Sequence, residues 1–224
     1  METTRWKQDF FEEVEPIRLT DPLAHVLGAQ EEGEPFVFNY TDAVKLAGHS
    51  CPAVSGAYRI TARALKALYG DDTPVRGSIK VLVKGGPEDL AYGPQAQVIS
   101  LITGASGPTG FKGLGGRWGR KNKLFFDPEN PEFNAFIFQR EDTGRTVKVT
   151  YSPQAISGDP RMSELSQGVI QGTASAEDKE LFIRLWQGNV RKILLEEEDH
   201  PGLITVTEMA GFTFPAARSA NTAF

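Results

Sequence analysis

Cysteine is almost absent from this 224-residue chain, which has one, Cys51. A single cysteine excludes an intrachain disulfide and fits a reducing compartment, so a cytoplasmic protein is expected. A basic excess is also missing. The formal net charge is −5, and nucleic-acid binders normally carry the opposite sign, so no nucleic-acid partner is expected. No apolar run approaches the roughly 20 residues of a membrane span. The segment Met1–Pro16 is polar and acidic, without the apolar centre of a signal peptide, so no membrane partner is expected either. Repeats and low-complexity linkers are lacking as well. One domain over 1–224 is the economical reading, with an N-terminal helical appendage (about 1–30) and a small-residue tail (about 210–224).

What is present is enough apolar material for one sizeable core, at 40% hydrophobic residues. Trp6, Phe10 and Phe11 recur at helical spacing in Arg5–Val14, which predicts a helix laid on the body. Thr20-Asp21-Pro22 signals a helix start, and Gly28 a stop. Phe36–Tyr40 alternates as a strand, and Thr41 or Asp42 can cap a short helix through Leu46. Ala53–Tyr69 carries an apolar stripe near the 3.6 period and stops at Gly70. Ser78–Val83 and the apolar Gln95–Thr103 both read as strands, and Phe133–Arg140 with Thr146–Tyr151 as a hairpin turning at Asp142-Thr143-Gly144. Met162–Ile170 and a helix capped by Ser175 follow, then a last strand at Leu203–Thr207. Clustered strands with only some intervening helices predict an α+β fold, with a mixed or antiparallel sheet flanked by helices.

The chemistry concentrates at Gly48-His49-Ser50-Cys51-Pro52. Residues at i and i+2 in an extended segment share a side, so His49 and Cys51 can address one point with an imidazole and a thiolate. That pair suits a soft divalent metal. Pro52 at a first helical position puts Cys51 at the N-cap, where free N–H groups and the helix dipole favour negative charge. The bland reading is a packed cysteine beside a hydrogen-bonded histidine. The sharper alternative to metal binding is an enzyme acting on a small substrate, with Cys51 as nucleophile or with a metal-activated water.

Leu46–Gly56 with its long helix, the strand at Ser78–Val83 and the T-G turn at Ile102–Lys112 resemble the FmdE-like family of formylmethanofuran dehydrogenase proteins. Members read roughly F-H-G-H-x-C-P-G and later T-G-C-T-x-G-K. Gly48, His49, Cys51 and Pro52 match directly; Ala47 and Ala105 stand where members carry a histidine and a cysteine. The cysteine-rich zinc ribbon of many members has no counterpart in this sequence. The resemblance implies a mixed α+β fold, frequent homodimers, and a bound transition metal, zinc first with nickel or iron as alternatives, in one-carbon or redox metabolism. His49 and Cys51 would be ligands. Of the further candidates by residue type, His25, Asp42, His200 and Glu208, His25 ranks first because its short helix adjoins the motif segment in sequence.

Residues 103–122 hold seven glycines, and loops of this length are usually functional or disordered. Val98–Gly110 superficially resembles the cofactor turn of short-chain dehydrogenases. Pro108 occupies a glycine position of that motif, however, and no tyrosine has a lysine four residues on. The preferred expectation is a wall around the His49–Cys51 pocket, formed by Gly104, Ser106, Gly107, Gly110 and Lys112, where a small-molecule ligand could sit. Arg117, Arg120, Lys121 and Lys123 around Trp118 read either as a solvated face or as an anion contact.

Overall fold

In the computed structural model, residues 2–215 are described. The N-terminal thirty residues are not one helix. Phe10 and Phe11 sit on a single 3-10 turn, Asp9–Glu12, and are buried in the core, while Trp6 precedes the turn and packs edge-on against Phe11. Strand β1 (Ile17–Leu19) follows, then α1 (Pro22–Val26), capped by Asp21 as its sequence requires. Strand β2 (Phe36–Phe38) pairs antiparallel with β1 in a two-stranded sheet. Helix α2 (Tyr40–Ala47) is capped by Asn39, two residues before Thr41 and three before Asp42, because the Asp42 carboxylate accepts the Asn39 N–H at 2.9 Å.

Helix α3 (Pro52–Tyr69) is the centre of the molecule. Val54, Ala57, Tyr58, Ile60, Ala64, Leu65 and Leu68 are buried, and so are the polar Ser55 and Thr61. Their hydroxyls bond back to the Cys51 and Ala57 carbonyls at 3.0 and 2.8 Å, which removes the cost of burying them. Neighbours can come close because α3 carries small residues. The Tyr151 ring occupies the space where a side chain on Gly56 would be.

Behind α3 lies a five-stranded mixed sheet in the order β4-β3-β5-β6-β7: β3 (Ile79–Val83), β4 (Leu124–Phe126), β5 (Ala135–Arg140), β6 (Thr146–Tyr151) and β7 (Ile204–Glu208). Only β3 and β4 run parallel. The β5–β6 hairpin turns at Gly144 with φ 72°, as its Asp-Thr-Gly signal predicts. Val81, Val83, Phe136, Phe138, Val147 and Val149 alternate onto the face under α3 and are fully buried. The chain thus has an α+β fold.

The segment expected as a strand over 95–103 is helix α4 (Tyr92–Thr103). Its β-branched run, Val98-Ile99 and Ile102, favours extended chain. The buried set Tyr92, Gln95, Ala96, Ile99, Ile102 and Thr103 instead recurs at helical spacing against α3, and that packing decides. Helices α5 (Met162–Gln171) and α6 (Ala176–Arg191) form a hairpin, and Ser175 caps α6 by accepting the Asp178 N–H at 3.1 Å. Residues 210–215 of the expected tail pack on the outer face of the sheet, with Phe214 tilted against Phe125 at 5.6 Å. Residues 216–224 lie outside the described residues.

Candidate functional site

The motif turn is the junction between α2 and α3. Gly48 ends α2 in the left-handed conformation (φ 73°), where the missing Cβ avoids a steric penalty. Cys51 is the N-cap of α3 with extended backbone, and Pro52 opens the helix. Four side chains from outside the turn hold it, three of them from distant segments and one from the start of α2. The Trp186 indole and the Gln187 amide donate to the Ser50 carbonyl at 2.9 and 3.3 Å. The Tyr151 hydroxyl donates to the Pro52 carbonyl at 2.8 Å, and Tyr40 shares a 2.7 Å hydrogen bond with the Ser50 hydroxyl. Burial pushes both phenols above their usual pKa, so they remain protonated at neutral pH.

The side chains of His49 and Cys51 take no part in these four contacts. His49 is exposed, and its Nδ1 lies 2.9 Å from the Ala47 carbonyl. A carbonyl can only accept, so in the neutral ring Nδ1 carries the proton and Nε2 the lone pair. Cys51 is half-buried and free. The other candidate ligands are engaged elsewhere. A ring nitrogen of His25 faces the Glu34 carbonyl at 3.2 Å, Asp42 closes the capping box, and Glu208 pairs with Arg145. The buried Nδ1 of His200 has no partner among the described residues. Among the described residues no group of three or more His, Cys, Asp or Glu side chains could hold a metal. One chain therefore offers two donors on one turn. Two donors do not complete a closed tetrahedral centre.

The sequence-family model described as "FmdE, Molybdenum formylmethanofuran dehydrogenase operon" matches residues 46–200, roughly two thirds of the chain. The chain belongs to the FmdE family. Comparison with curated proteins gives no match. The matched region of this FmdE-family chain begins two residues before the motif turn and reaches past α6, so it includes the side chains of Trp186, Gln187 and Tyr151 that hold the turn.

The glycine-rich loop has a different neighbourhood from the motif turn. Gly104 is the left-handed C-cap of α4 (φ 73°). The T-G turn thus ends a helix, where the dipole is negative, whereas a dinucleotide loop opens one. Gly104 and Ser106 line a cavity of about 620 Å³, whose lining includes neither His49 nor Cys51. Gly107 accepts the Gly110 and Asn122 N–H groups at 3.1 Å each, and Lys112 is exposed.

Arg120, expected within a basic surface cluster, is buried. Its guanidinium and that of Arg76 grip opposite oxygens of the buried Asp21 at 2.6 and 2.9 Å. Burial alone would raise the Asp21 pKa. The hydrogen bonds and charges of both arginines outweigh it and hold the carboxyl below its usual range. Sequence reasoning missed this triad, because Asp21 and Arg120 stand 99 positions apart. Arg117 stacks over the Trp118 ring at 4.4 Å, and Lys123 pairs with Glu141 at 2.5 Å. No helix among the described residues is long and apolar enough to cross a membrane.

Proposed function

We propose that this FmdE-family chain is a metal-binding accessory protein that takes a transition metal at His49 and Cys51. Zinc is the first choice, with nickel or iron as alternatives. The observation that carries this reading is the motif turn itself. The Ala47 carbonyl orients the imidazole with its Nε2 lone pair available, and two residues on the Cys51 thiol stands at the N-cap of α3. The family description supports a role in one-carbon or redox metabolism. The protein acts as a homodimer in the cytoplasm, and a second copy, water or a small ligand completes the metal's coordination. A bound zinc with open positions would supply Lewis acidity to such a ligand. The chain's own contribution is to fix the turn through Trp186, Gln187, Tyr40 and Tyr151.

Elemental analysis of untagged protein tests this directly. The expected result is about one metal per chain, lost in Cys51→Ala and in His49→Ala. Metal-free wild type after purification without chelators overturns it. Light scattering tests the dimer separately.

A further inference from the structure

The cavity beside the glycine-rich loop has a chemistry of its own. At about 620 Å³ it falls within the size range of small-molecule sites, and among the described residues no acidic one lines it. Two arginines do. Arg120 has a side chain 8% exposed, and its Nη1 finds no acceptor among the described residues. Arg76 is more open, at 23%. Three of its N–H groups go to Asp21 and to the Leu101 and Ile102 carbonyls at the end of α4. A guanidinium has five such groups, so Arg76 keeps donors for a ligand. Asp21 cancels one of the two positive charges, and the α4 C-terminus offsets about half a charge more. The floor of the cavity stays positive.

Gln97, Ser100 and Ser106 add neutral hydrogen-bonding groups to the wall. The rest is apolar. Leu101, Leu124 and Phe126 line it, while Leu46 and Phe111 are each 43% exposed where they border it. Two large apolar side chains left open to solvent at the edge of a cationic cavity suit a molecule with an apolar body and a charged end.

We propose that this cavity binds a small organic monoanion, a carboxylate on an apolar or aromatic body, with Arg76 as the partner of the carboxylate. Arg120 supplies charge from beneath rather than direct contact. The planar Arg76 fork matches a carboxylate, and the small net positive charge that remains favours a ligand with one negative charge over one with two. This site is separate from the motif turn and does not depend on a metal.

Calorimetric titration at low salt with 3-phenylpropanoate and its neutral amide, on protein stripped with a chelator, tests the proposal. The acid is expected to bind one site, at least tenfold tighter than the amide. Gln97 is exposed, so Gln97→Glu should fold normally; it should weaken the acid at least fivefold and leave the amide unchanged. Ser100→Phe, whose ring would occupy the cavity that Ser100 lines, should abolish both, with circular dichroism confirming the fold. No saturable binding of the acid, equal binding of acid and amide, or binding undiminished in Ser100→Phe would each overturn it. Chelator-stripped protein keeps the result independent of the His49–Cys51 reading.

Discussion

The motif turn and the glycine-rich loop are both irregular segments that leave a helix through a left-handed glycine, Gly48 in one and Gly104 in the other. They differ in what their own side chains contribute. The turn is held through its backbone: Trp186, Gln187 and Tyr151 bond to main-chain carbonyls, so His49 and Cys51 are not needed for its shape. The loop closes on its own main chain, as at Ser106, Gly107 and Phe111, and also commits a side chain, because Arg120 is buried against Asp21. A segment pinned by its backbone can present side chains for chemistry. A segment pinned by a buried charge has already used that charge for structure.

The contrast is best broken at Asp21. Asp21→Ala leaves two arginine charges without their carboxylate, and breaking a buried pair in this way costs about 3–5 kcal/mol. Urea unfolding should show a loss of that size. The same group sets an acid limit. Its folded pKa lies below the ordinary 3.8, so its contribution is complete above that value and is lost as pH falls through the folded value. Wild-type stability should therefore fall more steeply than that of Asp21→Asn below about pH 4. Parallel acid limbs in the two proteins would mean that the ion cluster is not what holds the loop.

On the turn side, the largest effect should come from Gly56→Ala, whose methyl group overlaps the fully buried Tyr151 ring. Overpacking of this kind costs about 1–3 kcal/mol, read as a lower melting temperature. Trp186→Phe removes one hydrogen bond to Ser50 and should cost about 1 kcal/mol. If the turn holds a metal, its affinity for zinc should also drop on the order of tenfold. His49→Gln should change stability in the metal-free state by less than about 0.5 kcal/mol, because the side chain is exposed. A loss comparable to that of Asp21→Ala would erase the distinction between the two segments.

Local chemistry made much of this legible in the sequence. Pro52 after Cys51, the stripe through Ala53–Tyr69, the Asp-Thr-Gly hairpin and the Ser175 cap each depend on contacts within a few residues, and each sits where expected. The misreadings share a cause. Val98-Ile99 and Ile102 prefer strand in isolation, and only the α3 surface makes α4 a helix. Trp6, Phe10 and Phe11 have helical spacing but bury their rings around a 3-10 turn. Arg120 looked like one more surface cation because its carboxylate partner is 99 residues away.

Sequence by itself therefore determined the two ends of the motif turn. Gly48 ends one helix and Pro52 opens the next, both through interactions of short range, and the residue types at 49 and 51 are given directly. Tertiary structure alone decided what surrounds it. The cavity behind Gly104 and Ser106 excludes His49 and Cys51 from its lining, and the buried Asp21–Arg76–Arg120 cluster gathers charges from three separate segments. Loop closure over such separations leaves no local trace, because its cost varies only slowly with chain length and its reward appears only when the core has formed.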